Sequence, residues 1–502
     1  MPNVTFVRPE VARLLPQYYL IRDAIAGEVT VKESGLKYLP MPNPEDMTTA
    51  NKKRYRQYLF RAVFYNVSRR TLSGLVGQVF MRDPVVKLPT AMEVIEDDAS
   101  GSGVSLEQQA KKSLTMTLAY SRSGLLVDYP EAPAEGVSKA DIAEGNIRPV
   151  ILTFAPQEVI NWRVVSRGSR EVLALVVIAE IYCIEDDGFE MKHGGQFRVL
   201  SLDPEGQYQV DIWREPVPTS TDGQNILKGN FQIHETYFPT DASGARLTEI
   251  PFTFIGSENN DSNPDHPNFY DLASINMAHY RNSADYEESC FIVGQPTPVI
   301  TGLTEEWVKD VLKNKIEFGS RAAIALPAGG DAKLIQAEPN TMIKEAMETK
   351  ERQMVALGAK LIEQKAVQRT AFETKVEATS EGSILTSVTN NVQEAYEFAL
   401  KWCAQYMGED DSSIEFELNT DFDIARLTPE EQNQAVKNWQ SGAITFGEMR
   451  TVLRKAGQAT VDDKEAQTEI AADQVKEMAM AGAAAQAAGS NPQLPQDNGG
   501  GK

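Results

Sequence analysis

Three segments between Pro267 and Gly408 carry apolar residues at intervals of three or four, the spacing of one face of an α-helix. The three series are Leu272, Ile275, His279, Asn282, Tyr286, Cys290 and Val293; Ile343, Met347, Met354, Leu357 and Leu361; and Leu385, Val388, Val392, Ala395, Ala399, Trp402 and Tyr406. The pattern predicts three helices. The third ends at Gly408, because glycine is common just beyond a helix C-terminus.

The segments that join these helices differ in character. Between the first two, the chain indicates a compact strand–helix–strand insert made of Pro296–Gly302, Thr304–Trp307 and Ala322–Gly330. A polar loop from Gln364 to Gly382 joins the second helix to the third. Its basic residues are Lys365, Arg369 and Lys375. No catalytic motif interrupts this order of elements.

The chain before Pro267 is helical first and β-rich afterwards. Apolar periodicity predicts helices over Val11–Ile25, Thr48–Phe80 and Ser105–Ser121. A strand is expected at Gly124–Asp128, and residues 148–256 alternate apolar runs with turn signals, which is typical of β-strands. Those runs are Val150–Phe154, Val172–Cys183, Phe197–Leu202, Tyr208–Trp213, Phe231–Tyr237 and Phe252–Ile255, with a hairpin turn at Asp203–Gly206.

After the third helix, Thr445 and Glu448 have the spacing of a capping box and predict a helix start. Residues 463–488 are rich in alanine and are expected to be helical. From Gly489 onward, Asn, Pro, Gln and Gly predominate, and this composition predicts disorder.

Basic and aromatic residues alternate within the helical segment Thr48–Phe80. The basic ones are Arg54, Arg56, Arg61, Arg69 and Arg70, and the aromatic ones are Tyr55, Tyr58, Phe60, Phe64 and Tyr65. Such a mixture is found on nucleic-acid platforms. It also fits an amphipathic helix with an aromatic core face and a solvated basic face, and helical spacing favours this second interpretation.

Charge and cysteine content restrict the function further. The 71 acidic and 49 basic residues give a net charge of −22, so the surface should repel DNA and anionic membranes as a whole. The three cysteines, Cys183, Cys290 and Cys403, are widely separated and form no CxxC pair, so we expect buried free thiols in a reducing compartment. There is no signal-peptide pattern and no apolar run of membrane-spanning length, so we expect a soluble protein made in a cytoplasm.

The sequence contains no recognisable catalytic site. Phosphate-loop, dinucleotide-binding, HExxH and Gly-x-Ser-x-Gly motifs are all absent, and we expect neither a cofactor nor a metal. Asp261, Asn263 and Asp265 have the one-three-five spacing of a calcium loop. His266 stands where that loop needs glycine, and the twelfth-position Glu is missing, so cation binding by residues 257–265 stays open.

The order of these elements resembles that of tailed-bacteriophage portal proteins of the long-tailed type. The resemblance covers Tyr38–Pro42, Tyr55–Pro84 and 267–455, and it includes Gly442-Ala-Ile-Thr-Phe-Gly-Glu-Met-Arg after the last strand. It implies an α+β, portal-like, elongated subunit with an α/β wing, a two-helix stem, a small α/β clip, a long tunnel helix and a helical crown. The β-rich section at 148–256 is longer than the minimal pattern of that family.

The resemblance also implies how the chain is divided. The expected parts are an N-terminal arm (1–44), a wing (45–270), stem helix one (271–293), a clip (294–338), stem helix two (339–363), a tunnel loop (364–382), a long helix with the return strand of the wing (383–428), a crown (429–488) and a disordered tail (489–502).

A portal of this kind is a ring of twelve identical chains at one capsid vertex. It conducts double-stranded DNA without sequence specificity and contacts the terminase large subunit, head–tail adaptors, and the major capsid and scaffolding proteins. The resemblance places Lys365, Arg369 and Lys375 nearest the DNA. It places Leu272, Ile275, His279, Tyr286, Met347, Met354 and Leu357 at stem contacts between subunits.

Three other functions remain compatible with the residues. The chain is also consistent with another virion protein, such as an adaptor or a baseplate component, although its length and its stem–clip–stem order favour a portal. An enzyme of unrecognised class would be indicated by a perturbed carboxylate in a pocket. The last alternative is a cytoplasmic helical scaffold, whose subunits would not assemble into a closed ring.

Overall fold

The computed structural model describes residues 3–129, 148–217, 229–294, 297–312, 326–335, 341–360, 384–420, 422, 429–455, 466–468, 470 and 472. The chain divides into two compact units, residues 1–420 and 421–502. The first unit combines α-helices with antiparallel sheets, so the α+β class is confirmed.

The helices of the first unit, in chain order, are α1 (Pro9–Ala26), α2 (Glu28–Glu33), α3 (Thr49–Arg61), α4 (Val67–Val79), α5 (Glu93–Asp97), α6 (Leu106–Tyr120), α7 (Tyr270–Val293), α8 (Glu305–Asp310), α9 (Met342–Lys360) and α10 (Ile384–Met407). Among the described residues, no helix has the length and apolarity needed to cross a bilayer.

The strands are β1 (Val85–Lys87), β2 (Arg122–Asp128), β3 (Val150–Phe154), β4 (Val159–Arg167), β5 (Arg170–Asp186), β6 (Met191–Leu202), β7 (Tyr208–Arg214), β8 (Gln232–Tyr237), β9 (Phe252–Gly256), β10 (Thr297–Thr301), β11 (Asp331–Ile335) and β12 (Glu415–Glu417). Strands β4 to β8 form one antiparallel sheet in chain order, and β2 lies between β3 and β9 in a second sheet. The pairs β10–β11 and β1–β12 form two-stranded sheets.

Helix α10 is the central core element of this unit. All seven residues of its predicted apolar series, from Leu385 to Tyr406, are buried. The Tyr396 hydroxyl shares a 2.9 Å hydrogen bond with Ser113 on α6, and its ring stacks on Phe416 of β12. The helix ends as predicted at Gly408, whose φ of +71° is a conformation that glycine adopts without strain.

The predicted helical segment Thr48–Phe80 is interrupted between α3 and α4 by polar side chains of α7. Ser283 Oγ accepts a hydrogen bond from the Val63 N–H at 3.1 Å and donates to the Val63 carbonyl at 2.6 Å. The Asn276 amide donates to the Tyr65 carbonyl at 2.8 Å, and its oxygen accepts from the Ser68 N–H at 3.1 Å. Backbone groups of the connecting segment are therefore satisfied from a distant helix.

The predicted strands of the β-rich section are present, and the strands β1, β4 and β11 were not predicted. In β4, register shifts at Val159–Asn161 and Arg163–Val164 break the two-residue alternation that would reveal a strand. In the insert, the partner of β10 is β11, not Ala322–Gly330. Every residue of β11 is exposed, so no apolar alternation marks it.

The second unit contains α11 (Pro429–Gln440) and α12 (Phe446–Lys455). The predicted capping box is present, because the Glu448 carboxylate accepts from the Thr445 N–H at 2.7 Å and Thr445 Oγ1 accepts from the Glu448 N–H at 3.2 Å. The rings of Trp439 and Phe446 pack edge to face across the turn.

Replacing Asn276 with Ala should destabilise the first unit by about 3 kcal/mol, because it leaves the buried N–H and hydroxyl of Ser68 without the oxygen that they bind and removes one of the hydrogen bonds to the Tyr65 carbonyl. Urea unfolding followed by circular dichroism measures the change. Asn282→Ala on the same helix is the matched control and should change stability by under about 0.5 kcal/mol. Equal effects of the two substitutions would contradict this role of Asn276.

The carboxylate of Asp23, near the end of α1, gives a pH-dependent prediction. Burial alone would raise its pKa, but hydrogen bonds from Lys37, Tyr38 and Arg22 outweigh this and hold the pKa below its usual value. Because the pKa of Asp23 is lower in the folded than in the unfolded protein, its charged carboxylate stabilises the fold. This stabilisation is fully present above the unfolded-state pKa of about 4, and it is lost as the pH falls through the lower folded-state pKa.

Asp23→Asn should therefore cost about 2 kcal/mol at pH 7, and its difference from wild type should shrink as pH falls from about 5 to 2. Urea midpoints measured over that pH range test this. A difference that stays constant with pH would show that the charge of Asp23 is not what stabilises the fold.

Candidate functional site: an arm without a core of its own

Helix α7 is buried over its first half only. Its buried residues are Leu272, Ala273, Asn276, Met277, His279, Tyr280, Ser283 and Ala284, and this half packs against α1, α3 and α4. From Asp285 to Val293 no residue of α7 is buried. The helix therefore leaves the core at Ala284 and continues for more than two turns along the surface.

The exposed part of the chain extends beyond the end of α7. Among the residues that the structure describes between Asp285 and Gln353, none is buried. We call residues 285–353 the arm. Its large exposed apolar side chains are Phe291, Ile292, Val311, Leu334, Ile335 and Met342, which are 44 to 70% exposed. Fully burying one such side chain is worth about 1.5–3 kcal/mol, so this surface is suited to being covered.

The tip of the arm contains the hairpin of β10 and β11, which pair over five residues each. An isolated two-stranded hairpin is at best marginally stable in water. The short helix α8 follows β10 and is capped by Thr304, whose Oγ1 accepts from the Trp307 N–H at 3.3 Å. No residue in the described part of the tip is buried.

The second half of α7 is fixed to α3 by polar contacts. Tyr58 donates a 2.6 Å hydrogen bond to Asp285, and burial together with this bond raises the pKa of Tyr58. Arg54 and Arg61 both pair with Glu288. The Arg61 guanidinium also lies 4.3 Å above the centre of the Phe291 ring. These contacts orient the base of the arm without covering it.

Helix α9 returns along α7 and is joined to it by a hydrogen bond between His279 Nε2 and Glu351, with an N–O distance of 3.1 Å. Among the residues of α9 whose burial is described, only Met354 and Gly358 are buried. Its outer face carries Met342 and Val355, 70% and 69% exposed, and a shallow depression of about 570 Å³ lined by Glu348, Glu351, Arg352, Val355 and Ala356.

The two helices carry charges of opposite sign. Helix α7 has four acidic residues and one arginine, a net charge of −3. Helix α9 has four basic and three acidic residues, a net charge of +1. Copies of the chain that met head to tail, α7 side against α9 side, would therefore attract each other.

The predicted stem residues fall into two groups. Leu272, His279 and Met354 are buried by their own chain. Ile275, Tyr286, Met347 and Leu357 are half-buried, so part of each remains accessible to a neighbour. The structure adds Asn276, Tyr280 and Ser283 to the packed face of α7, which apolar periodicity could not single out because two of the three are polar.

The predicted DNA-proximal residues Lys365, Arg369 and Lys375 lie outside the described residues. The acidic loop 257–265 is described and is closed by its own hydrogen bonds. Asp265 accepts from the Ser257 and Glu258 N–H groups at 2.7 and 2.9 Å, and Asp261 accepts from the Asn263 N–H at 2.7 Å. Across the described ranges, no group of three or more His, Cys, Asp or Glu could hold a metal. Cys403 is buried, but Cys183 and Cys290 are exposed, so the expectation of buried thiols is wrong for these two.

One perturbed carboxylate lies in a wide groove of about 1510 Å³ between α1, α6 and the sheets. Desolvation raises the pKa of Glu158 there, and its carboxylate accepts from the Ala155 N–H at 2.6 Å. The charged residues nearby are engaged in structural contacts. Arg198 pairs with Asp128 and Glu180 at 2.6 and 3.0 Å. Hydroxyl groups of Ser34, Ser100, Ser102 and Tyr120 also line the groove, and in the described part of the chain none of them is hydrogen-bonded to Glu158.

Comparison with known proteins gives one family match. Residues 268–407 match a family described as a domain of unknown function, DUF4055. The matched range runs from the start of α7 to the end of α10 and so contains the whole arm. No curated protein matches the chain.

Similar solved structures come from gene transfer agent particles. A chain from the neck of an empty particle, computed with C6 symmetry, is 13% identical over 78% of this chain and 90% of that chain, with a TM-score of 0.39. A chain from the virion of the native particle is 14% identical over 86% and 98%, with a TM-score of 0.40. A chain from the native neck, computed with C12 symmetry, is 14% identical over 85% and 98%, also at 0.40. All three TM-scores are below 0.5.

Tyr58→Phe should loosen the second half of α7, because it removes the bond to Asp285. A hydrogen bond to a charged group is worth about 1.5–3 kcal/mol, so amide hydrogen exchange in residues 287–293 should accelerate about tenfold or more. Tyr19→Phe, at an exposed position of α1, is the control and should leave that exchange unchanged. No acceleration in Tyr58→Phe would show that the contact does not fix the arm.

Proposed function

We propose that this chain is a phage portal protein, one subunit of a ring of about twelve copies at a capsid vertex. The observation that carries the proposal is the arm: from Asp285 to Gln353 no described residue is buried, although large apolar side chains are present throughout. A monomer would leave this surface in water. A closed ring of head-to-tail contacts would cover it in every copy.

The order of elements supports this assignment in the same way as the sequence resemblance does. Two long helices, α7 and α9, pack together and are separated in sequence by a small hairpin unit, and α10, whose apolar face is buried, follows. In a portal subunit these would be the stem, the clip and the long tunnel helix. The half-buried Ile275, Tyr286, Met347 and Leu357 would then contact the neighbouring subunit.

The channel of such a ring would conduct double-stranded DNA during packaging and ejection, without catalysis by this chain. The net charge of −22 is consistent with a wall along which DNA slides, because a negative wall gains nothing from counterion release. On this proposal Lys365, Arg369 and Lys375 lie nearest the DNA. The hairpin unit would meet the terminase and later the head–tail adaptors, and the protein would reside in the virion.

Charge placed on the outer face of α9 should prevent assembly. Wild type should sediment as a large multiple of 55.5 kDa, whereas Met342→Glu combined with Val355→Glu should shift it to the monomer, because two carboxylates would face the acidic α7 of the next copy. Phe189→Glu combined with Val217→Glu is the matched control, since both residues are highly exposed outside the arm.

The control variant should assemble as wild type does. A wild-type protein that stays monomeric at every concentration, with or without scaffolding protein, would contradict the proposal. So would an α9 variant that assembles normally. Rings without a central channel would instead favour an adaptor or baseplate component.

A further inference from the structure

The charges of this acidic chain are distributed unevenly. Between Asp46 and Asp83 lie 36 consecutive residues without a single carboxylate, and eight of them are Lys or Arg. This segment forms α3 and α4. A local charge of +8 in a chain whose net charge is −22 is not explained by average composition.

Several of these cations have structural partners. Arg54 and Arg61 pair with Glu288, Arg69 donates to the carbonyls of Ile25 and Ala26 at the end of α1, and Arg82 also has a partner. Lys52, Lys53, Arg56 and Arg70 are exposed and make no ion pair or hydrogen bond to any part of the chain that the structure describes.

Three of the unpartnered cations share the outer side of α3. The inner side of this helix is fixed by Asn51, Tyr55 and Tyr58, which are 5 to 8% exposed. Lys52, Lys53 and Arg56 are consequently directed into solvent, and Phe60 follows one turn later at 79% exposure. The expectation that the aromatic residues of this segment fill the core is wrong for Phe60 and for Tyr65, which is 51% exposed.

An ordinary solvated helix face in this chain looks different. Three surface lysines on other helices are each paired with a Glu one turn away: Lys32 with Glu28, Lys309 with Glu305 and Lys344 with Glu348. Such pairs stabilise a surface helix and neutralise its charge. The outer side of α3 has none, and it therefore keeps three cations available for an external anion.

We infer that Lys52, Lys53 and Arg56 form a contact surface for the phosphate backbone of duplex DNA, without base specificity. Protein–DNA interfaces are strongly positive and polar, whereas the cores of protein–protein interfaces are depleted in Lys. The outer side of α3 has the positive, polar composition of a protein–DNA interface, with Phe60 as its one large apolar residue. This surface is separate from the arm, and the inference does not depend on ring assembly.

The overall negative charge of the chain does not prevent such a contact. At physiological ionic strength the Debye length is about 8 Å, so distant carboxylates are screened while a phosphate touching α3 responds to the nearest cations. Three phosphate contacts predict a slope of about −2.7 for the logarithm of the binding constant against the logarithm of salt concentration. The affinity should be modest and strongly salt-dependent.

The test compares two variants of equal net charge. Lys52→Gln, Lys53→Gln and Arg56→Gln remove the surface, and Lys192→Gln, Lys309→Gln and Lys333→Gln remove three exposed cations elsewhere. Anisotropy of a fluorescent duplex of about 30 base pairs, titrated from about 50 to 200 mM salt, reports affinity and slope. Circular dichroism and sedimentation of the same samples report folding and assembly.

The α3 variant should bind about tenfold or more weakly, with a salt slope shallower by about three, and the control variant should bind as wild type does. The inference is overturned if wild type does not bind the duplex at the lowest salt, or if both variants bind equally. Polyglutamate that competes as well as duplex at equal charge would reassign α3 to an acidic protein partner. Because assembly is measured separately, failure here leaves the ring proposal untouched.

Discussion

The contact between α7 and the α3–α4 connection is the constraint on which much of the first unit depends. Asn276 and Ser283 bind backbone groups of Val63, Tyr65 and Ser68 at this connection, and they hold α7 in place over its first half. Beyond Ala284 the helix has no such burial, and Tyr58, Arg54 and Arg61 hold it at the base of the arm. Helix α7 thus connects the packed part of the first unit to the exposed arm. On the ring proposal, a neighbouring copy of the chain covers this arm.

Sequence periodicity predicted the elements best where burial is complete and apolar. All seven residues of the α10 series are buried, because that helix is covered by α6 and by strands β2, β9 and β12. On α7 the same periodicity found Leu272 and His279 but could not find Asn276 or Ser283. Their role depends on the backbone of residues more than 200 positions earlier, and no local pattern encodes it.

The strands that the sequence pattern did not predict can also be explained by local features. Bulges in β4 shift the side-chain alternation, and β11 is exposed on every residue, so neither displays the two-residue pattern of a half-buried strand. The candidate site was predictable as an order of elements, since helix, hairpin unit and helix follow from the sequence. The exposure of the described residues of the arm was not predictable, because periodicity indicates an apolar face but not whether the same chain covers it.

Net charge proved a poor guide to local electrostatics. The value of −22 describes a chain in which residues 47–82 carry no carboxylate at all, and a ring of such subunits would combine a repulsive wall with discrete basic surfaces. Conducting DNA and contacting it are then compatible properties of different parts of one molecule. The arm remains the element that decides the assignment, because without ring closure neither a wall nor a channel exists.

The most direct test of ring closure is a cryo-electron microscopy reconstruction of the purified, assembled protein. The account predicts a closed ring with a central channel, in which Phe291, Ile292, Met342 and Val355 are buried between neighbouring subunits. Particles without a channel, or a ring in which these side chains stay as exposed as in the single chain, would contradict it.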